Sequence, residues 1–248
     1  MGARQVALER DSAAAVRNAG EASRVVAVAA GKGGVGTTSV VAGLALTLGA
    51  LLPGRVALAD TRTGTASIGR RVGADSAPHS TAFAGGTVEP ARAADVMVVD
   101  GAPWDTPLTR PMLVRLMADL REDHLFTLLD VGDDASDIGH GALARSDRLV
   151  VVTTNAADAV AATTRTFERL RGIDEASAAA AVVAVTGVRG RDRGTGDRRR
   201  AWPVARVVRV PWDPGFHGGG PIDAGRLRRT TRSALLELAA AVSGEHNS

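Results

Sequence analysis

Short apolar runs alternate along the chain with longer stretches whose apolar positions recur at helical spacing. Most of the short runs are continuously apolar, which is typical of strands that are covered on both faces. We predict seven strands, at 25–30, 56–59, 96–99, 126–129, 149–154, 181–186 and 205–210. Helices are predicted between them, at 38–50, 109–122, 138–146, 156–171 and 223–242. This rhythm predicts an α/β fold: a doubly wound, mostly parallel sheet of about seven strands with helices on both faces, which binds ligands at the carboxyl ends of its strands.

The length of 248 residues suits one domain with an appended segment. Residues 1–23 are charged and rich in alanine, and we predict a tail or a short helix there. Residues 24–248 form the predicted domain. Within it, 61–95 is interpreted as loop plus one short helix, and 189–200 as a charged loop with six arginines and two aspartates.

The composition narrows the chemistry. Cysteine is absent, which excludes disulfides, thiolate catalysis and cysteine-based zinc sites, and the five histidines are scattered along the sequence. No apolar run approaches the ~20 residues that cross a bilayer. These features fit a cytoplasmic protein whose core, at 3% aromatic residues, is built from alanine, valine and leucine.

The usage of basic residues is uneven. Twenty-nine of the 30 basic residues are arginine, and the one lysine is Lys32. Arginine can replace lysine on most surfaces but not in a tight phosphate-binding loop. The single ammonium group therefore indicates that the segment around Lys32 has kept a function.

That segment is a glycine-rich loop between a predicted strand and a predicted helix. In "AAGKGGVGTTSVVAGLA" (29–45), Gly31, Gly36 and Thr38 have the spacing of the phosphate loop G-x-x-x-x-G-K-[ST], but Thr37 stands in place of its lysine. Such a loop surrounds phosphate oxygens with backbone N–H groups, and its Ser or Thr hydroxyl binds Mg²⁺. The nucleotide-binding candidates here are Gly31, Lys32, Gly33, Gly34, Val35, Gly36, Thr37, Thr38 and Ser39.

The loop resembles the deviant Walker A motif of the MinD/ParA family of P-loop ATPases, K-G-G-x-G-K-[ST], which carries two lysines. Lys32 matches the family's signature lysine, and Thr37 stands where the ordinary P-loop lysine belongs. The resemblance implies that Lys32 reaches the phosphates of a partner subunit in an ATP-bound dimer, which makes it the catalytic candidate. The bias toward arginine is similar to that of actinobacterial relatives.

Other segments extend the resemblance over most of 24–242. In "VALADTRTG" (56–64), Asp60 matches the first aspartate of switch I, whereas Arg62 replaces the aspartate that positions the attacking water. Asp130 in "FTLLDVGDD" (126–134) matches the Walker B aspartate. The resemblance thus implies a metal site of Thr38, Asp60 and Asp130. In "VVRVPWDP" (207–214), it implies that Pro211 and Asp213 lie beside the adenine.

The resemblance implies a protein that binds ATP and Mg²⁺, forms a homodimer around ATP, and positions or regulates a partner protein. Because Thr37 and Arg62 replace two catalytic groups, hydrolysis is expected to be weak or absent, and whether the chain is an enzyme stays open. The alternatives are a nucleotide-free scaffold and a ParA-type partition protein that binds nucleic acid through Arg189–Arg200. Only "SGEHNS" follows the last predicted helix, so direct membrane anchoring is disfavoured, and partners would recruit the protein to the inner membrane or the nucleoid.

Overall fold

The computed structural model describes residues 3–62, 68–74, 91–99, 108–189, 202, 204, 206–216 and 219–244. Within these ranges the chain forms one eight-stranded sheet in the order β3-β4-β2-β5-β1-β6-β7-β8. The strands are β1 (Arg24–Ala30), β2 (Val56–Asp60), β3 (Ala91–Ala93), β4 (Val96–Val99), β5 (Phe126–Gly132), β6 (Arg148–Thr154), β7 (Val182–Thr186) and β8 (Arg206–Val210).

Seven of the eight strands run parallel, and only β3 pairs antiparallel, with β4 at one edge. This confirms the predicted doubly wound sheet and adds a three-residue edge strand to it. The central strand β1 lies between β5 and β6, so its carboxyl end faces the middle of the sheet edge. The glycine-rich loop that follows β1 therefore begins at the position where doubly wound folds bind their ligands.

Helices cover both faces of the sheet. The described helices are α1 (Ala3–Arg17), α2 (Thr37–Leu51), α3 (Ile68–Val72), α4 (Arg110–Asp123), α5 (Asp137–Ala144), α6 (Ala157–Ile173), α7 (Glu175–Ala180) and α8 (Arg229–Ser243). Successive residues of β1 enter opposite cores: Val26 and Val28 pack in the core with α2 and α8, whereas Val25 and Ala27 pack in the core with α4 and α6. The strand sequences are continuously apolar because both faces of the sheet are buried.

The amino-terminal helix α1 packs against α8. Val16 is fully buried in the core that also contains residues of α2 and α8. Arg229 donates a hydrogen bond to Glu9 at 2.8 Å. The Ser233 hydroxyl donates to the same carboxylate. These contacts join positions about 220 residues apart in the sequence.

The last helix begins six residues later than predicted. The prediction of a helix start at 223 is wrong because residues 223–228 form a turn before α8 begins at Arg229. Within that turn the Asp223 carboxylate accepts a hydrogen bond from the Gly225 N–H at 2.9 Å, and the Asp213 carboxylate accepts one from the Arg228 N–H at 2.8 Å. Aspartate side chains that bind nearby backbone in this way favour turns over helix.

Candidate functional site

The glycine-rich loop connects β1 to α2 and is shaped by backbone conformations that side chains resist. Gly34 and Gly36 have φ angles of 79° and 91°, in the left-handed region that favours glycine. The loop is also tied to β7, since the Thr186 hydroxyl donates a hydrogen bond to the Val35 carbonyl at 2.7 Å. The N-terminus of α2, with its N–H groups unpaired within the helix, thus opens directly out of the loop, which is the arrangement that binds anions.

The first glycine of the loop lies against helix α6. A Cβ atom at Gly31 would lie 2.5 Å from the Ala162 carbonyl carbon and 2.8 Å from the Thr163 nitrogen, so only glycine fits here. Gly33 has more room, with the end of the Asp133 side chain 3.3 Å from its hypothetical Cβ. The motif glycine at position 31 is therefore required by packing between the loop and α6.

Lys32 extends from the loop to helix α6 of its own chain. Its Nζ atom lies 2.5 Å from Asp158 Oδ2, and the two side chains are 42% and 65% exposed. The hydrogen bond from Lys32 lowers the pKa of Asp158 below its ordinary value. An exposed pair of this kind contributes little to stability, and it leaves the ammonium at the surface of the molecule.

The three residues predicted as metal ligands lie together at the carboxyl ends of β2 and β5. Asp60 and Asp130 occupy facing positions of the two strands, and both are fully buried. The Thr38 hydroxyl at the start of α2 donates a hydrogen bond of 2.7 Å to Asp130 Oδ2. Burial raises the pKa of Asp130 above its ordinary value, and the charge of Arg62 and the Thr38 hydrogen bond act in the opposite direction.

Arg62 contacts all three of these residues, which the sequence did not predict. Its Nη2 atom lies 3.3 Å from Asp130 Oδ2 and 3.4 Å from Thr38 Oγ1, and its Nε atom lies 3.7 Å from Asp60 Oδ1. The guanidinium covers Gly132, where a Cβ atom would lie 2.9 Å from Arg62 Nη1. The arginine at position 62 therefore does more than replace a catalytic aspartate, because it also places a cation beside Asp60 and Asp130.

The oxygen atoms of Thr38, Asp60 and Asp130 are of the type that binds Mg²⁺. Two carboxylates and a hydroxyl are the hard ligands that this ion prefers, and the buried Asp130 Oδ1 has no hydrogen-bond partner within the described residues. The Arg62 guanidinium lies against the same donors, so it and a metal ion would share one set of oxygens.

On the other side of the glycine-rich loop is a cavity of about 290 Å³. Its walls come from the loop itself and from the ends of β6, β7 and β8, with lining residues Gly34, Val35, Gly36, Thr154, Thr186, Gly187, Val188, Arg189, Val210, Pro211, Trp212, Asp213 and Phe216. Its volume is at the lower end of the range for small-molecule sites.

The two residues predicted beside the adenine differ in what their side chains do. Pro211 lines the cavity together with its neighbour Trp212. Asp213 also borders the cavity but is 1% exposed, and its two carboxylate oxygens accept hydrogen bonds of 2.8 Å from the N–H groups of Gly215 and Arg228. Asp213 therefore shapes the loop below the cavity.

Two arginine side chains lie over the ring of Trp212. The guanidinium carbons of Arg228 and Arg189 lie 5.1 Å and 5.8 Å from the ring centroid, within the range of cation–π contacts. Of the predicted basic segment Arg189–Arg200, only Arg189 belongs to the described residues. The rest of that segment lies outside them.

A buried arginine supports the start of α2 from another direction. Arg71 of α3 is 6% exposed and donates hydrogen bonds to Ser39 Oγ at 2.7 Å and to the carbonyls of Phe216 and Gly220. Burial lowers the pKa of its guanidinium. Arg71 thus fixes the candidate Ser39 in place and connects α2 to the loop that follows β8.

A glycine-rich loop after the central strand, a helix that begins in it, and acidic residues at the ends of two neighbouring strands are the features of the P-loop fold. Solved structures confirm this fold. MinD from Pyrococcus horikoshii, a septum site-determining protein complexed with Mg-ADP, superposes with a TM-score of 0.70 over 88% of this chain and 94% of its own, at 18% identity.

Two further structures agree. The MinC:MinD cell division complex of Aquifex aeolicus matches with a TM-score of 0.68 at 16% identity, over 88% of this chain and 94% of that one. A ParA-family ATPase from Chlorobium tepidum matches with a TM-score of 0.63 at 16% identity, over 88% and 99% of the two chains. The predicted MinD/ParA-type fold is therefore confirmed.

No protein-family model matches the sequence, and no curated protein matches it. Within the part of the chain that the structure describes, no helix is long and apolar enough to cross a membrane.

Proposed function

We propose that this protein is a nucleotide-controlled switch that binds ATP and Mg²⁺ at the glycine-rich loop. The observation that carries the proposal is the loop of residues 31–36, which opens into α2 beside two buried carboxylates and the Thr38 hydroxyl. Backbone N–H groups and the N-terminus of α2 suit the phosphates. The MinD of Pyrococcus horikoshii, which has the same fold, was solved with Mg-ADP.

The residues that would hold the metal are Thr38, Asp60 and Asp130. When bound, Mg²⁺ supplies positive charge that neutralises phosphate oxygens. The cavity of 290 Å³ beside Gly34–Gly36 offers the space for the base, with Pro211 on its wall. Asp213 supports this wall through its backbone hydrogen bonds.

Hydrolysis is proposed to be weak. Position 37 carries a threonine, so the loop lacks the ammonium that would stabilise charge on the transferred phosphoryl group. Position 62 carries an arginine, which can donate hydrogen bonds but cannot accept the proton of an attacking water. ATP binding would therefore act mainly through the conformation it favours.

The output of the switch is proposed to be a homodimer that acts on a partner protein. Lys32 is 42% exposed and could reach a second subunit after leaving Asp158. A MinD of Aquifex aeolicus was solved in complex with MinC, a protein partner. The soluble pool would be cytoplasmic, with recruitment to the inner membrane or nucleoid through partners. Nucleic-acid binding by Arg189–Arg200 stays a separate prediction.

Titration of a fluorescent ATP analogue in the presence of Mg²⁺ tests the binding proposal. We expect saturable binding below millimolar concentration, and tighter binding by Thr37→Lys, which restores the missing ammonium. Phosphate release under the same conditions should be slow. Absence of saturable binding by the folded protein would instead favour the nucleotide-free scaffold.

Sedimentation with and without ATP tests the dimer. Lys32→Ala should abolish ATP-induced dimerisation while the monomer stays folded. Asp158→Asn is the matched control, because it removes the partner of Lys32 within the chain but keeps the ammonium, and it should still dimerise. An unchanged profile for Lys32→Ala would reject a role of Lys32 between subunits.

A further inference from the structure

The Arg62 guanidinium occupies the space between the oxygens that the proposed function assigns to a metal. One planar side chain lies within 3.3–3.7 Å of Asp130, Thr38 and Asp60. It is only 26% exposed, so this is not a freely moving surface group. A single internal cation thus contacts every predicted metal ligand.

The backbone around Arg62 directs the side chain to this place. The Arg62 N–H donates a hydrogen bond of 2.9 Å to Asp60 Oδ1, which fixes the start of the segment after β2. On the opposite strand, Gly132 has a φ of 60° and lacks a side chain, so the guanidinium can lie over it. A Cβ atom at that position would lie 2.9–3.3 Å from three atoms of the guanidinium group.

Charge explains why a cation is needed there. Asp60 and Asp130 are 0% exposed and belong to adjacent strands, and two buried carboxylates at close range repel each other. The ammonium that a P-loop lysine would place nearby is absent, since position 37 is a threonine. Arg62 therefore provides positive charge at the two carboxylates in the absence of metal.

We propose that Arg62 is an internal competitor of the divalent cation, so that a metal ion binds Asp60, Asp130 and Thr38 only when the guanidinium leaves them. This inference rests on the proposed metal site of the nucleotide switch. It assigns to position 62 a regulatory role: the guanidinium competes for the ligand oxygens and raises the metal concentration at which the site loads. Removal of the Arg62 guanidinium then makes metal binding easier.

The test measures binding of Mn²⁺, which accepts the same oxygen ligands as Mg²⁺, to the nucleotide-free protein by electron paramagnetic resonance of the free ion. We expect Arg62→Gln to bind Mn²⁺ about tenfold more tightly than the unmodified protein, because charge-assisted hydrogen bonds no longer have to be broken. Arg115→Gln, an equal change of charge at a side chain that is 83% exposed on α4, should bind like the unmodified protein.

A second variant locates the ion. In Arg62→Gln combined with Asp130→Asn, the tighter binding should be lost, because the metal loses a carboxylate ligand. The proposal is overturned if Arg62→Gln binds no more tightly than the unmodified protein, if Arg115→Gln gains equally, or if the double variant keeps the gain. If Arg62→Gln does not fold, Arg62→Lys is measured in its place. Tighter Mn²⁺ binding is again expected, because an ammonium cannot span three oxygens as the guanidinium does.

Titration of the fluorescent ATP analogue on the same samples separates this inference from the proposed function. If the unmodified protein binds no nucleotide but Arg62→Gln binds Mn²⁺ more tightly, then the competition is supported and the nucleotide switch is rejected. If nucleotide binds and the Mn²⁺ affinities are equal, then the role of Arg62 is rejected and the switch is supported.

Discussion

Gly31 is where the glycine-rich loop contacts the backbone of α6, and the change Gly31→Ala tests that contact. The added Cβ atom would lie 2.5 Å and 2.6 Å from the carbon and oxygen of the Ala162 carbonyl and 2.8 Å from the Thr163 nitrogen. Ordinary contacts between carbon atoms begin at ~3.5 Å. All three atoms belong to the backbone of a 17-residue helix, so they cannot move away as a side chain could.

The loop or the helix must therefore shift by about 1 Å to accept one methyl group, since the shortest contact of 2.5 Å falls that far below ~3.5 Å. Overpacking of this kind costs about 1–3 kcal/mol. For a chain of this size we expect a loss of about 2–12 °C in the melting temperature, because each kcal/mol corresponds to ~2–4 °C. The phosphate affinity should also fall, because the displaced loop no longer presents its N–H groups in the same directions.

Thermal unfolding and titration of the fluorescent ATP analogue measure the two effects. Gly33→Ala is the matched control in the same loop. Its Cβ would meet only the end of the Asp133 side chain, at 3.3 Å, and its melting temperature should stay within about 2 °C of the unmodified protein. If Gly31→Ala melted and bound nucleotide like the unmodified protein, the packing argument for this glycine would be refuted.

Three further predictions concern the rest of the fold. Hydrogen bonds from Arg229 and Ser233 lower the pKa of Glu9 from 4.5 to about 2, so its contribution to the docking of α1 is complete above pH 4.5 and is lost as pH falls toward 2; the protection factors of the α1 amides, which correct their exchange for its intrinsic pH dependence, should fall over that window in the unmodified protein but not in Glu9→Gln. Leu235→Ala, at a side chain that is 1% exposed, should cost about 2–5 kcal/mol in urea unfolding. Ser136→Ala removes the N-cap of α5 and should cost about 0.5–2 kcal/mol in the same assay.

Each of these three has a contradicting result. Protection factors in α1 that are independent of pH between 4.5 and 2 would show that the Glu9 carboxylate does not hold the helix. A Leu235→Ala variant as stable as the unmodified protein would mean that the core around α8 closes without cost. Equal stability of Ser136→Ala would mean that the hydrogen bonds it accepts from the Ile138 and Gly139 N–H groups add nothing.

Much of the fold could be predicted from the sequence because burial on both faces leaves a simple pattern. The predicted strands 126–129 and 149–154 lie within the observed β5 (Phe126–Gly132) and β6 (Arg148–Thr154), since each is a continuous run of buried residues. The edge strand β3 (Ala91–Ala93) was not predicted. Three residues are too few to show a period, and their pairing with β4 depends on a turn through Ala94 and Asp95.

The start of α8 shows where local pattern fails. Residues 223–228 precede a clear helical pattern, but a hydrogen bond from the Arg228 N–H to Asp213, 15 positions earlier, holds the end of this segment outside the helix. The docking of α1 could not be predicted from local sequence either, because it depends on a contact between Glu9 and Arg229, which are 220 positions apart.

At the site, motif spacing was enough to find the loop and the acidic residues, but not their contacts. Asp60 and Asp130 are 70 positions apart in the sequence, and their adjacency follows once β2 and β5 are neighbours. The placement of Arg62 between them could not be predicted, because it also requires the left-handed Gly132 to leave space for the guanidinium. The signal that the sequence does hold is a cation two positions after Asp60, where the resemblance expects an aspartate.

The exposure of Lys32 makes the phosphate loop chemically addressable in a chain whose other basic side chains are all arginine. Its amine is the only lysine target in the sequence, and it is 42% exposed with one exposed partner, Asp158. A lysine-specific endoprotease therefore has a single cleavage site, between Lys32 and Gly33, and an amine-reactive fluorophore has a single side chain to label. The rate of cleavage or of labelling at Lys32 therefore reports how accessible the loop is, without an engineered reporter.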